Sequence, residues 1–240
     1  MQKSSEQRSL GAQGTGQVFL DTSAWFFLLR RFRFSSTLTS TPACYDMEEA
    51  KVEAKSPAKA EAAWREMSVN NIESLIRVAD EIHPDLPESD EVFAERVKLF
   101  PEGCLALVEG EGDELCGYVI SHPIRRRQPP ALDSLLGEIA PDADQYYIHD
   151  LAILPKARGR GLARECINKL FAIAKRFPTT SLVSVYGTAP FWGRFGFMPE
   201  EIDEVLEKKL LDYGDDATYL ERKNEEYQRL RKTDTVRIPE

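Results

Sequence analysis

The sequence predicts an α/β domain, because helical and strand patterns follow one another along its middle part. Apolar residues recur at helical spacing in two segments between residues 70 and 100. Two short β-prone runs then flank a glycine- and acid-rich turn, and a longer β-prone run leads through an Arg/Gly-rich turn into another helical pattern. This succession of strands and helices is typical of α/β proteins.

Composition and charge limit the kinds of partner. The 240-residue chain has a formal net charge of −9, which argues against nucleic acid as the main partner. Its longest apolar run, near residues 24–29, is far shorter than the roughly 20 residues that span a bilayer, so we expect no membrane span. The four cysteines form no CxxC pair and the three histidines show no zinc-ligand spacing, so we expect no metal. We expect reduced thiols and a cytoplasmic protein, and the oligomeric state stays open.

The first 62 residues differ from the rest of the chain. Up to Ala43 they contain five basic and two acidic residues, and Arg30 and Arg31 follow an apolar stretch. Mitochondrial presequences share this composition, although Asp21 interrupts the apolar stretch. Two interpretations stay open for residues 1–62, a disordered extension and a targeting segment that would direct the protein to mitochondria. We expect one folded domain over residues 63–224 and a charged tail over residues 225–240.

Two helices are predicted at the start of this domain. Asn70 and Glu73 match a capping box, apolar residues follow at helical spacing over residues 70–82, and Pro84 ends the helix. The second predicted helix covers residues 89–100, with a serine as N-cap and a proline after its last residue.

A predicted β-hairpin and a long connection come next. The hairpin pairs residues 104–108 with residues 115–121 across a glycine- and acid-rich turn. The connection covers residues 122–144, contains Pro129, Pro130 and Pro141, and is expected to include a short helix over residues 132–139.

The second half of the domain begins with a β-prone run, Tyr146–Leu154. A helix is predicted over residues 161–177, where the apolar positions keep a 3.6-residue period. A strand over residues 181–186, a short helix capped by Thr188 and a last strand over residues 217–222 complete the predicted order.

The turn between the long strand and its helix is a candidate phosphate site. Glycines at such a turn let backbone N–H groups face outward, and the helix N-terminus adds a partial positive charge. Gly159 and Gly161 supply this feature here, and Arg158 and Arg160 add cationic side chains. The turn has neither the GxxxxGK[ST] nor the GxGxxG pattern, so a tight connection without a ligand stays the alternative.

The same turn carries a family resemblance. Arg158-x-x-Gly161-x-Ala163 resembles the Arg/Gln-x-x-Gly-x-Gly/Ala signature of the GNAT superfamily of N-acetyltransferases. Residues 151–155 resemble the strand end before that signature, and residues 189–197 resemble the family's Ala-x-x-Phe-Tyr-x-x-x-Gly-Phe segment. The resemblance implies the GNAT fold, an α/β architecture with a mixed central sheet flanked by helices on both faces.

A narrower resemblance is to the arylalkylamine (serotonin) N-acetyltransferase group. It depends on His149 followed by Leu151-Ala152-Ile153, and on Pro190-Phe191-Trp192 before Arg194-Phe195-Gly196-Phe197. The resemblance implies that a small-molecule primary amine, arylalkylamine- or polyamine-like, attacks acetyl-coenzyme A directly, without an acyl-enzyme.

The resemblance also implies where acetyl-coenzyme A binds. Strand backbone groups would contact the pantetheine arm, and backbone N–H groups of the turn would hold the pyrophosphate. A tryptophan stands where many members have a tyrosine, and it would pack against the thioester or form a wall of the acceptor pocket. The residues implied to bind acetyl-coenzyme A are Leu151, Ile153, Arg158, Gly159, Arg160, Gly161, Leu162, Ala163 and Trp192.

Proton transfer is assigned by the same resemblance. His149 is the first candidate for the general base, because a histidine at the matching position serves proton removal in the arylalkylamine group. Strand alternation would place Tyr147, His149, Leu151 and Ile153 on one face and Asp150 on the other. Asp150 is the alternative base or orients a water, and a hydrogen-bonded core role for His149 stays open. Tyr147 replaces a second histidine of that group.

The general acid and the substrate class leave alternatives. Indole N–H only donates hydrogen bonds, so Trp192 does not transfer protons. Tyr186 or Tyr147 would protonate the departing thiolate, or the thiolate takes a proton from water. Two other functions stay open, a protein lysine or N-terminal acetyltransferase and a non-catalytic acyl-coenzyme A binding module.

Overall fold

The structure is a computed structural model that describes residues 61–110, 112, 114–227 and 229. Within these residues, seven strands form one mixed sheet in the order β1-β2-β3-β4-β5-β7-β6. The strands are β1 (Ala62–Glu66), β2 (Leu105–Glu109), β3 (Leu115–Ile124), β4 (Gln145–Ile153), β5 (Thr179–Ser184), β6 (Met198–Pro199) and β7 (Thr218–Lys223). The helices that bear on the site are α1 (Ile72–Ile82), α2 (Asp90–Leu99), α3 (Leu162–Ala174), α4 (Ala189–Gly193) and α5 (Glu204–Leu210).

Helices pack on both faces of this sheet. On one face, Phe93 of α2 contacts Tyr118 of β3 edge-on, with ring centroids 5.9 Å apart. On the other face, Trp64 Nε1 donates a hydrogen bond of 2.9 Å to the carbonyl of Leu162 at the start of α3. Through β2, Trp64 aligns with Gly117, the neighbour of Tyr118, so the two side chains point to opposite faces. The predicted α/β architecture is therefore confirmed.

The helices near the site begin and end where local signals place them. Helix α1 buries an apolar face, and the N–H of His83 donates to the carbonyl of Ala79 at 2.7 Å just before Pro84. Helix α2 begins after its N-cap, Ser89. Helix α3 begins after Gly161 and ends three residues earlier than predicted.

The predicted short helix over residues 132–139 is wrong. The structure has turns there, and Asp133 adopts a positive φ of 52°. The backbone N–H groups of Leu136 and Gly137 donate to the carboxylate of Glu95, and Arg96 donates to the carbonyl of Ser134. These bonds to α2 take the place of the bonds that a helix would make within itself.

Strand β4 contains a β-bulge next to the predicted site. Asp150 pairs with Ile120 and Ile148 pairs with Ser121, so His149 has no partner on β3. An extra residue on one strand shifts the alternation of side chains beyond it. Asp150 therefore lies on the same side as His149, and the strict alternation that separated them is wrong.

The predicted extension, residues 1–62, lies outside the described residues apart from Glu61 and Ala62. Strand β1 and helix α5 were not predicted from the sequence. Among the helices that the structure describes, none is long and apolar enough to cross a membrane.

Candidate functional site

Strands β4 and β5 diverge and open a gap in the sheet. They are parallel and pair only between residues 145–147 and 179–181. Beyond Tyr147, β4 continues along β3 alone, whereas β5 continues along β7. Among the strands that the structure describes, none pairs with the β5-facing edge of β4 from Ile148 onward.

The backbone groups on this free edge can be assigned from the hydrogen-bond pattern. The N–H of Leu154 donates to the carbonyl of Cys116 on the β3 side, at 2.9 Å. Since backbone groups of alternate residues point to opposite neighbours, those of Leu151 and Ile153 point into the gap. The carbonyl of Ile153 accepts a hydrogen bond of 2.7 Å from Arg158 Nε. These are the two strand residues that the sequence assigned to an extended ligand.

The turn after β4 forms an open, glycine-lined end of the gap. Gly159 and Gly161 have φ values of +76° and +79°, and a Cβ at either position would meet no heavy atom within 4 Å. Gly161 is the N-cap of α3, a 13-residue helix whose first N–H groups have no helical partner. The turn can therefore hold an anion through backbone N–H groups.

The two arginines of the turn are engaged with the protein. Arg158 binds the carbonyl of Ile153, and Arg160 forms an ion pair of 2.8 Å with Glu109. Both residues lie at the turn as expected, and each uses one N–H group of its guanidinium on the protein, so the backbone N–H groups of the turn and the other guanidinium N–H groups are donors for an anion.

A cavity of about 840 Å³ joins the turn to the bulge of β4. Tyr147 and Arg160, two of the predicted site residues, do not line it. The predicted residues that do line it are His149, Asp150, Leu151, Ile153, Arg158, Gly159, Gly161, Leu162, Ala163, Tyr186 and Trp192.

Asp150 lies at the centre of a cluster of polar side chains in this cavity. One carboxylate oxygen accepts a short hydrogen bond from the hydroxyl of Tyr118, and the other lies 3.0 Å from Nε2 of His83. Burial alone would raise the pKa of Asp150, but the charge of His83 and the hydrogen bonds from His83 and Tyr118 lower it. The Asp150 carboxylate is therefore held in its charged form.

His83 completes the cluster from the end of α1. Its ring stacks on that of Tyr186, with centroids 5.7 Å apart and planes at 12°. Burial alone would lower the pKa of His83, but the charge and hydrogen bond of Asp150 and the charge of Glu88 raise it. Paired groups with opposite pKa shifts in a cleft are typical of functional sites.

His149 forms a second acid–histidine pair, deeper in the protein. Its Nε2 lies 2.8 Å from a carboxylate oxygen of Glu88, and the side chains are only 3% and 7% exposed. The ring also contacts those of His122 and Tyr147. Burial and the charge of His149 lower the pKa of His122 to about 3. His149 thus lies at the inner wall of the cavity.

The three aromatic candidates occupy different positions. Tyr147 is fully buried, and burial raises its pKa well above the ordinary value. Tyr186 lies two residues after the end of β5, is 45% exposed and has a positive φ of 53°. Trp192 is buried and contacts the rings of Phe191 and Phe197 edge-on. Tyr186 is therefore the tyrosine of the two that reaches the cavity.

The connection between β3 and β4 covers one end of the cavity. Asp133 accepts hydrogen bonds of 2.7 Å from both the N–H and the hydroxyl of Ser89, and its own N–H donates to Glu88. Leu132 forms part of the cavity wall next to these bonds. The cover is thus fastened to the segment between α1 and α2.

Three residues of the site were missed by sequence reasoning: His83, Glu88 and Tyr118. His83 and Glu88 follow α1 as ordinary helix-end and connection residues, and Tyr118 lies inside a predicted strand. Their partners are distant in sequence, as for Glu88 and His149, 61 positions apart. Only the scarcity of histidine, three in the chain, marks His83.

Comparisons with known proteins bear on the family and the fold of the chain. A profile of the acetyltransferase (GNAT) family matches residues 69–197. No curated protein matches the chain. Ard1 from Thermoplasma volcanium is 15% identical with a TM-score of 0.51, covering 68% of this chain and 97% of its own. Naa50 of Arabidopsis thaliana, in complex with the bisubstrate analogue CoA-Ac-MVNAL, is 13% identical with a TM-score of 0.51. It covers 67% of this chain and 97% of its own. The loading GNATL domain of CurA from Lyngbya majuscula is 12% identical with a TM-score of 0.52. The match covers 69% of this chain and 98% of the GNATL domain. At these identities the structural likeness shows the fold.

Proposed function

The chain belongs to the acetyltransferase (GNAT) family, and on that premise we propose that it transfers acetyl from acetyl-coenzyme A to a small-molecule primary amine. The family makes it an acyl-coenzyme A N-acyltransferase with acetyl-coenzyme A as co-substrate. The observation that carries the choice of acceptor is the covered, acidic end of the cavity. An arylalkylamine-like or polyamine-like acceptor fits this end, as the sequence resemblance implies.

The residues of the gap fit the coenzyme in two ways. The open space at Gly159 and Gly161 leaves room for a pyrophosphate over the N-terminus of α3. The backbone groups of Leu151 and Ile153 point into the gap, where they would bind the pantetheine arm. When bound, acetyl-coenzyme A supplies an activated acetyl thioester beside Asp150.

The acidic side chains at the cavity suit a cationic acceptor. An alkylamine has a pKa of about 10, so removing its proton at pH 7 costs about 4 kcal/mol. We propose that Asp150, held as a carboxylate, binds the ammonium group and receives its proton. His149 and Tyr147 would then support the cavity wall behind it, with Glu88 fixing the orientation of the His149 ring.

Tyr186 is the proposed general acid for the thiolate. It is the more exposed of the two tyrosine candidates, and it lines the cavity just beyond the end of β5. Trp192 is the proposed wall of the thioester site. A hydroxyl donor at Tyr186 would protonate the sulfur as the C–S bond breaks, leaving coenzyme A and the acetylated amine.

The covered acceptor end favours a small molecule over a polypeptide acceptor. A peptide substrate needs an open groove along which its chain can leave the site in one direction. Here Asp133 and Ser89 fasten the β3–β4 connection over the cavity beside Glu88. The alternative, a protein lysine or N-terminal acetyltransferase, would require this connection to open.

The test is thiol release from acetyl-coenzyme A by the full chain with arylalkylamines, polyamines, amino acids and lysine or N-terminal peptides. We expect release with one class of small amine and not with peptides. Release with peptides alone would refute the small-molecule assignment, and binding of coenzyme A without release would favour the non-catalytic module. Asp133→Ala should raise the amine KM several-fold by loosening the cover. Asp142→Ala is its control, because Asp142 lies in the same connection and pairs only with the exposed Arg125 among the described residues.

A further inference from the structure

We infer that His83 is the positioning residue that receives, through Asp150, the proton that the amine loses. This inference rests on the proposed function and adds a residue that the sequence resemblance does not mark. His83 is carried by the C-terminus of α1, a part of the chain without a signature motif.

The geometry places His83 one step behind Asp150. Its Nε2 lies 3.0 Å from one oxygen of Asp150, while the hydroxyl of Tyr118 occupies the other oxygen. The Nδ1 atom of His83 is buried and has no hydrogen-bond partner among the described residues, so Asp150 is the polar partner of its ring. A proton that reaches Asp150 therefore has His83 as its nearest basic acceptor.

Two contacts hold the ring of His83 in this place. Its backbone N–H closes the last turn of α1 on the carbonyl of Ala79, at 2.7 Å. Its ring stacks on Tyr186, whose positive φ of 53° is unusual for a residue with a Cβ. Backbone strain of this kind persists where the surrounding structure fixes it, and it concentrates at functional sites.

The step conserves protons and charge. The N–H bond of the ammonium breaks with its electron pair left on nitrogen, and the proton passes to Asp150 and then to the lone pair of Nε2. The neutral amine and a His83 imidazolium result, and the imidazolium later gives its proton to water. Tyr186 protonates the thiolate, and the second proton, lost by the nitrogen as the amide forms, restores the hydroxyl of Tyr186.

The charges around His83 favour this role. Asp150 on β4 and Glu88 after α1 stabilise an imidazolium, whereas Arg158 of the turn opposes it. Tyr118 and Tyr186, the other titratable groups packed there, keep raised pKa values and stay neutral near pH 7. The raised pKa of His83 and the lowered pKa of Asp150 both move the proton toward His83.

His83→Asn tests the inference through a pH profile. Asparagine is polar and suits a helix end, but it accepts no proton. In the wild type, kcat/KM should rise with pH and level off once His83 is neutral, above its raised pKa. In the variant it should be about tenfold lower at pH 7 and keep rising toward about pH 10, where the free amine becomes abundant. Coenzyme A affinity should stay within about twofold of the wild type, since the proposed donors to the coenzyme are backbone groups of β4 and the turn, which the substitution leaves in place.

The controls separate this inference from the proposed function. Glu81→Gln changes a charge on the exposed side of the same helix and should leave the profile unchanged. An unaltered profile in folded His83→Asn, with the wild type active, would overturn the role of His83 alone. A wild type that acetylates no amine in the panel would overturn the proposed function and this inference with it. Should His83→Asn fail to fold, His83→Gln and an NMR titration of His83 in wild type and Asp150→Asn replace it. A His83 pKa that Asp150→Asn leaves unchanged would then refute the coupling.

Discussion

The anion site at the turn can be tested by three glycine substitutions. Gly161 and Gly137 have nearly the same backbone, with φ values of +79° and +74°, and a Cβ at either would meet nothing within 4 Å. Gly161→Ala and Gly137→Ala should therefore carry the same strain, about 1–2 kcal/mol, without a clash. Gly137 lies in the β3–β4 connection and does not line the cavity. It is thus a control for the backbone cost of changing Gly161.

The decisive variant is Gly161→Glu, which adds a carboxylate where a pyrophosphate is expected. Two unit charges about 5 Å apart repel by about 3 kcal/mol at an effective dielectric constant of about 20. Because about 1.4 kcal/mol corresponds to a factor of ten, coenzyme A should bind more than 100-fold more weakly. Gly137→Ala should bind it like the wild type.

The assay combines two measurements on each variant. Thermal unfolding reports the strain, which should lower the melting temperature by similar amounts in the two alanine variants. Titration with coenzyme A, followed calorimetrically, reports the site. Wild-type affinity in folded Gly161→Glu would refute the assignment of the pyrophosphate to this turn, whatever the stability data show.

Three further predictions concern buried residues in the cavity wall or near it. The pKa of His122 is lowered to about 3, so its side chain stays neutral in the folded protein. In the unfolded protein it gains a proton below its ordinary pKa of about 6.5, so the free energy of unfolding decreases as the pH falls. Between pH 8 and pH 5 the wild type should lose about 2 kcal/mol more unfolding free energy than His122→Gln, and equal losses in urea titrations would contradict the buried neutral state. Tyr118→Phe keeps the packing on Phe93 but removes the donor to Asp150, and thiol release at pH 7 should fall about tenfold while coenzyme A affinity is unchanged. Trp192→Tyr should destabilise the protein by about 1–2 kcal/mol, measured by urea unfolding, without raising turnover; a faster enzyme would show that a missing general acid limits it.

The elements near the turn were predictable because their signals are local. The period of apolar residues in α3, the glycines before it and the β-prone run of β4 each depend on neighbours in the sequence. The proline after α1 and Ser89 before α2 likewise mark those helices. The family resemblance assigned Leu151 and Ile153 to the pantetheine arm; their backbone groups point into the gap, and their contact with the coenzyme stays a prediction.

The rest depends on contacts between distant segments. The sequence around His149 does not indicate a bulge, since no glycine or proline stands next to it. The bulge alone places Asp150 on the same side of the strand as His149. The pair of Glu88 and His149 joins segments that only the folded sheet brings together. Strand β1 contains Arg65 and Glu66 and lies at the sheet edge, so its apolar pattern is short. In the β3–β4 connection, hydrogen bonds from backbone N–H groups to the carboxylate of Glu95 take the place of the expected helix.

The divergence of β4 and β5 also affects the local stability of the sheet. The sheet consists of a four-strand half, β1 to β4, and a three-strand half, β5 to β7, and among the described residues three residue pairs join the two halves. A ligand that binds to the free edge of β4 would supply backbone hydrogen bonds that no described strand makes there. Bound coenzyme would then stabilise the sheet where its two halves diverge. Amide hydrogens of β4 and β5 beyond the last residue pair should therefore exchange with solvent more slowly once the coenzyme is bound.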